Sequence, residues 1–118
     1  MNLARVGYER RGRALIVSID GEIDLSNAEQ IRDEVSAALP RDGAGIVLDL
    51  TLTTYLDSSG VRLLFELAQR LQDRRQQLVL VVTHEALVRR VILLTHLDEA
   101  VSLHTSLDDA LGSLTPLA

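Results

Sequence analysis

The chain has 118 residues, 47% of them apolar, and a formal net charge of −5. That length fits one domain, residues 1–118, with one core, and the apolar content excludes a disordered chain. The acidic balance excludes phosphate-backbone binding to DNA or RNA; the absence of Cys and Lys excludes disulfides, thiolate zinc sites, cysteine nucleophiles and a Walker-type phosphate loop.

Residues 4–10 predict a weak first strand, and Gly12 between charged residues predicts a hairpin turn. Ala14 to Ile19 is rich in β-branched residues and predicts a strong strand, stopped by the turn signal Asp20-Gly21. Ser26 or Asn27 is suited to cap the helix that follows. In that helix Ile31, Val35 and Ala38 share one face, with Leu39 beside them, while Glu29, Arg32, Asp33 and Glu34 mostly face water. Pro40 ends it, and residues 41–45 read as a loop.

Ile46 to Thr51 is a nearly continuous apolar run, which predicts a central buried strand. Residues 52–56 read as a short link. A second helix is expected from about Ser59 to Asp73, its apolar stripe made by Val61, Leu64, Ala68 and Leu71 and widened by Leu63 and Leu67. Leu78 to Val82 predicts another buried strand. Residues 85–94 predict a short helix with Leu87, Val91 and Leu94 inward. Val101 to Leu103 reads as a last strand and Leu107 to Leu114 as a last helix, with Ser106 at its start. The order β-β-α-β-α-β-α-β-α predicts an α/β fold. Its mixed, mostly parallel five-stranded sheet would carry one antiparallel edge and about four helices.

No apolar run reaches the roughly 18–20 residues of a membrane span. The first residues lack the basic and apolar segments of a signal peptide, so a cytoplasmic protein without membrane insertion is expected. Aromatic residues make up only 3%, which argues against base stacking on nucleic acid. His84, His96 and His104 fall near element ends, with nothing to bring them to a serine, so a triad hydrolase has little support. No His/Asp/Glu spacing suits a metal ion, and no cofactor is expected. The Gly43-x-Gly45 pair precedes a strand, whereas a dinucleotide fingerprint follows one.

The remaining motif is Asp57-Ser58-Ser59-Gly60, between the apolar strand and the second helix. A helix start gathers free backbone N–H groups and the positive end of the helix dipole. As pure structure, Asp57 or Ser58 caps the helix, worth about 1 kcal/mol, and Gly60 permits close packing.

The segment Val47-Leu48-Asp49-Leu50, followed by Tyr55-Leu56-Asp57-Ser58-Ser59-Gly60-Val61-Arg62-Leu63-Leu64, resembles the signature of the STAS domain. More narrowly it resembles bacterial anti-sigma factor antagonists. Ile19-Asp20-Gly21-Glu22-Ile23-Asp24-Leu25-Ser26-Asn27-Ala28 is similar to that family's loop between its second strand and first helix. The resemblance implies a phosphorylated first serine, Ser58 rather than Ser59. It implies a partner that is both anti-sigma factor and serine kinase, and a serine phosphatase that restores the antagonist. The chain would then be a kinase substrate and binding switch, not an enzyme. Asp24, Ser26, Asn27, Asp57, Ser58, Ser59, Gly60 and Arg62 are the expected partner-binding residues. Within the same family, an accessory or scaffold subunit of a stress-signalling complex or of a transporter is the alternative.

Overall fold

The computed structural model describes residues 4–39, 41 and 43–114. The strand with the most neighbours grows from the β-branched run after Ala14. This strand, β2 (Ala14–Ile23), forms an antiparallel hairpin with β1 (Ala4–Arg11). On its other side β2 pairs in parallel with β3 (Gly45–Asp49), which pairs with β5 (Gln77–Val81), which pairs with β6 (Ser102–His104). The sheet order is therefore β1-β2-β3-β5-β6, with one antiparallel edge, as the order of elements predicts.

Alternation along the strands sends successive side chains to opposite faces. Leu15, Val17 and Ile19 of β2, with Ile46, Leu48, Leu78 and Leu80, join one large cluster. Three helices cover it: α1 (Ala28–Ala38) with Ile31 and Val35, α2 (Ser58–Asp73) with Leu64, Leu67 and Leu71, and α3 (Leu87–Leu94) with Val88 and Ile92. The opposite face is smaller. There Ala14, Ile16, Val47, Val79 and Val81 meet Ala110 of α4 (Leu107–Ser113) and the following Leu114. Ser106 caps α4 by accepting from the Asp109 N–H at 3.1 Å. No helix among the described residues is long and apolar enough to cross a membrane.

Several local expectations are corrected. Asp20-Gly21 does not end the second strand. Gly21 takes a φ of 122°, open to glycine at little cost, and the register shifts between Gly21 and Glu22. The bulge lets β2 continue to Ile23 and leave β3 for a new neighbour. That neighbour is β4 (Thr53–Leu56), the segment read as a link, now a sixth strand. Its two threonines hid it: Thr53 is buried with its hydroxyl donating to the Ile19 carbonyl at 2.7 Å, a contact no hydropathy pattern signals.

In α3 the buried face is Val88 and Ile92; Leu87 and Leu94 are 71% and 72% exposed. Six of the eight residues there are apolar, so several stripes fit the sequence and only packing against β4 and the following turn chooses one. Ala38, the last residue of α1, is exposed, and Leu39 packs in its place. A single 3-10 turn at Leu97–Glu99, unforeseen, buries Leu97. The expected helix stop at Pro40 and the loop residue Asp42 lie outside the described residues.

Candidate functional site

The site forms where β4 hands over to α2. Asp57 is the residue before the helix, in extended backbone, and it is the cap. Its Oδ1 accepts from the N–H groups of Ser59 at 2.8 Å and Gly60 at 3.1 Å. Its carbonyl accepts from the Val61 N–H at 3.0 Å, while its own N–H donates to the Ile23 carbonyl at 3.3 Å. The choice between Asp57 and Ser58 as cap is thereby decided for Asp57. The donors expected to stand free at this helix start are in part already used by a carboxylate.

The other carboxylate oxygen, Oδ2, accepts from the Leu25 N–H at 3.2 Å. One side chain thus joins the acidic loop after β2 to the start of α2. The loop is stiffened from within. Asp24 Oδ1 accepts from both the N–H and the hydroxyl of Ser26. Asn27 is buried; its Oδ1 accepts from the Asp24 N–H at 3.0 Å and its Nδ2 donates to the Glu22 carbonyl at 2.8 Å. Neither Ser26 nor Asn27 caps α1 with its side chain, contrary to expectation. Their polar groups are spent folding the loop back on itself, a local alternative to capping.

Gly60 has a steric role. A Cβ there would stand 2.3 Å from Leu56 Cδ1 and 3.1 Å from Ile23 Cγ2. The bare glycine lets the first turn of α2 press against the ends of β2 and β4, which fixes the height of the residues before it.

Ser58 is the first helical residue and is exposed, and among the described residues nothing hydrogen-bonds its hydroxyl. Ser59 is half-buried, one wall of a groove of about 150 Å³ between α1 and α2. Leu25, Arg32, Arg62 and Glu66 also line it. Arg32 donates to Glu66 at 2.9 Å across the two helices, and Glu66, with Asp33, holds its guanidinium still more firmly protonated. Arg62 is 82% exposed and reaches Glu66 only at 3.8 Å, so it stands open to solvent beside Ser58.

Of the residues singled out in sequence, Asp57 ties the start of α2 to the loop that holds Asp24 and Ser26, and Ser59 and Arg62 line the groove that Leu25 also lines. Asn27 and Gly60 belong to the site from beneath, as buried supports. Sequence reasoning missed Leu25, which is 80% exposed and held beside the cap. Its signal was an apolar residue inside an acidic loop with no periodic partner. Leu52 and Tyr55, around β4, are also exposed apolar side chains near this end of the sheet. No group of three or more His, Cys, Asp or Glu among the described residues is arranged to hold a metal ion.

The family model of the STAS domain matches residues 5–110. The chain belongs to the STAS domain family. This STAS chain is 29% identical over 96 residues to the anti-sigma-F factor antagonist RsfB of Mycobacterium tuberculosis, covering 81% of this chain and 77% of that protein. It is 33% identical over 66 residues to BtrV of Bordetella bronchiseptica, a candidate anti-sigma factor antagonist; that match spans 56% of this chain and only 57% of that protein. Among solved structures, an anti-sigma factor antagonist from Mycobacterium paratuberculosis superposes with a TM-score of 0.84 at 29% identity. It covers 94% of this chain and 93% of that one.

Proposed function

We propose that this STAS protein is an anti-sigma factor antagonist, switched off by phosphorylation of Ser58. The observation that carries the reading is the contrast between the two serines: Ser58 is exposed and its hydroxyl is uncommitted, whereas Ser59 is half-buried against the α1–α2 groove. The names of its relatives supply the class of partner. In this reading residues 1–118 act as one cytoplasmic domain without catalysis of its own. The unphosphorylated form binds an anti-sigma factor that is also a serine kinase and so frees a sigma factor; a serine phosphatase resets it.

Electrostatics gives the switch its size. A phosphate adds about −1.5 to −2 charges at neutral pH. Here it would arise beside the Asp57 carboxylate, which already uses the Ser59 and Gly60 N–H groups. The helix dipole softens that charge without offering these two donors to it. The phosphate therefore turns toward the partner. An unpaired charge desolvated in an interface costs several kcal/mol, and about 1.4 kcal/mol is tenfold in affinity.

The test is intact-mass measurement after incubation with the cognate kinase and ATP, together with binding of the same variants to that kinase. Wild type and Ser59→Ala gain one phosphate, Ser58→Ala gains none and binds constitutively, and Ser58→Asp binds at least about tenfold more weakly. Modification that persists in Ser58→Ala and vanishes in Ser59→Ala moves the switch to Ser59. Equal binding by wild type and Ser58→Asp removes the switch.

A further inference from the structure

β1 is an edge strand of eight residues, hydrogen-bonded to β2 on one side and to no other strand among the described residues. A long open edge is a template for a further strand, and charged side chains usually guard it against the wrong one. Its sequence is Ala4-Arg5-Val6-Gly7-Tyr8-Glu9-Arg10-Arg11. We propose that β1 pairs antiparallel with β1 of a second copy of this chain, centred on Gly7, joining two sheets into one across a two-fold axis.

The register follows from symmetry and charge. A two-fold axis normal to the sheet makes the strands antiparallel and keeps each face continuous, so a residue can oppose only one an even number of positions away. Centred on Gly7, Arg5 opposes the partner's Glu9, Val6 opposes the partner's Tyr8, Gly7 opposes its own copy and Ala4 opposes the partner's Arg10. The unlike pair occurs on both sides of the axis. Centring on Val6 opposes no charges among the described residues, centring on Tyr8 sets Arg5 against Arg11, and centring on Glu9 sets Glu9 against itself. Opposite charges across strands stabilise a pair and like charges destabilise it.

The side chains are available for this. Arg5 makes no ion pair among the described residues. Among the described residues Glu9 forms an ion pair with Arg11 alone, two residues along the same strand, with the two side chains 57% and 51% exposed. Such a solvated contact is worth little and yields readily. Gly7 and Glu9 lie opposite Ser18 and Ile16, on the face of the smaller cluster. Val6 and Tyr8 lie opposite Ile19 and Val17, on the face of the larger one. Val6 already packs on that cluster, and Tyr8 is 41% exposed, so the pairing would cover a phenol ring that the monomer leaves half open. The Ser58 loop contributes nothing to this edge, so the dimer is independent of the switch proposed above. Two paired strands make a small interface, which implies a weak, concentration-dependent dimer.

Sedimentation velocity from micromolar to millimolar protein measures it, with disulfide trapping as the register test. The expected mass rises from one chain to two. Arg5→Glu weakens the dimer about tenfold or more, and Arg5→Glu with Glu9→Arg restores it. The natural chain has no cysteine, and a Cβ on Gly7 meets nothing within 4 Å. Gly7→Cys therefore oxidises to a covalent dimer, whereas Arg5→Cys, about 13 Å from its own copy in this register, does not. A single-chain mass at every concentration with Gly7→Cys remaining reduced overturns the proposal. Equal cross-linking of Gly7→Cys and Arg5→Cys, or a dimer indifferent to Arg5→Glu, overturns it as well.

Discussion

Leu25 and Asp57 meet across 32 positions of sequence: the Leu25 N–H donates to Asp57 Oδ2 at 3.2 Å while Asp57 Oδ1 caps α2. The exposed leucine and the exposed Ser58 are thus held in register by one carboxylate.

Removing that carboxylate uncouples the two segments. Asp57→Ala loses the helix cap, worth about 0.5–2 kcal/mol, and the loop contact with it, a further ~1 kcal/mol. Urea denaturation is expected to show a loss of about 2 kcal/mol. Asp57→Asn, which keeps an acceptor, should lose less than Asp57→Ala.

Gly60 tests the packing beneath the site. In Gly60→Ala the added methyl must displace the Leu56 side chain, 2.3 Å away. The expected cost is about 1–3 kcal/mol, read as a lower thermal midpoint. An unchanged midpoint would show that Leu56 swings aside freely and that the height of α2 is not set there.

The buried face of α3 gives opposite expectations for two neighbouring apolar residues. Ile92 is fully buried and Leu94 is 72% exposed. Ile92→Ala should destabilise by about 2–5 kcal/mol. Leu94→Ala should stay within about 0.5 kcal/mol of wild type. Chemical denaturation of both variants checks the pair.

Tyr8 carries a pH signature. Burial, then its hydrogen bond to the Glu34 carboxylate and that carboxylate's charge, push its phenol from 10.0 up to about 12. Because the folded value is raised, the contribution is whole below pH 10 and is lost as pH rises from 10 through about 12. Ultraviolet titration should show one phenol ionising near 12, and Glu34→Gln should bring it down. A first phenol and a second that both ionise at the ordinary value would remove the Tyr8–Glu34 contact.

Much of the fold was legible because its signals are local. The β-branched runs at Leu15–Ile19 and Leu78–Val82, the stripe from Val61 to Leu71 and the serine before Leu107 each state their conformation in neighbouring residues. The parallel sheet followed from the order of elements and the handedness of crossovers. The elements that were misread have non-local causes. β4 is a strand because Thr53 finds the Ile19 carbonyl and Gly21 allows a bulge opposite it. The inward face of α3 is chosen by what lies under the helix, since its apolar residues alone fit more than one stripe.

The same division runs through the site. The sequence by itself pointed to most of the candidate residues, because Asp57-Ser58-Ser59-Gly60 and the acidic loop around Asp24 are contiguous motifs with recognisable chemistry; Leu25 carried no such signal. The resemblance favoured Ser58 over Ser59, but no local pattern said which residue caps the helix and which only supports the site. Only the tertiary structure decided that Asp57 takes the cap, that Asn27 and Gly60 are supports, and that Ser58 stands open while Ser59 turns to the groove. The reason is physical: a hydroxyl's freedom and a glycine's necessity depend on atoms brought close by folding, and Ile23 and Leu25 reach this point from a segment more than thirty positions away in sequence.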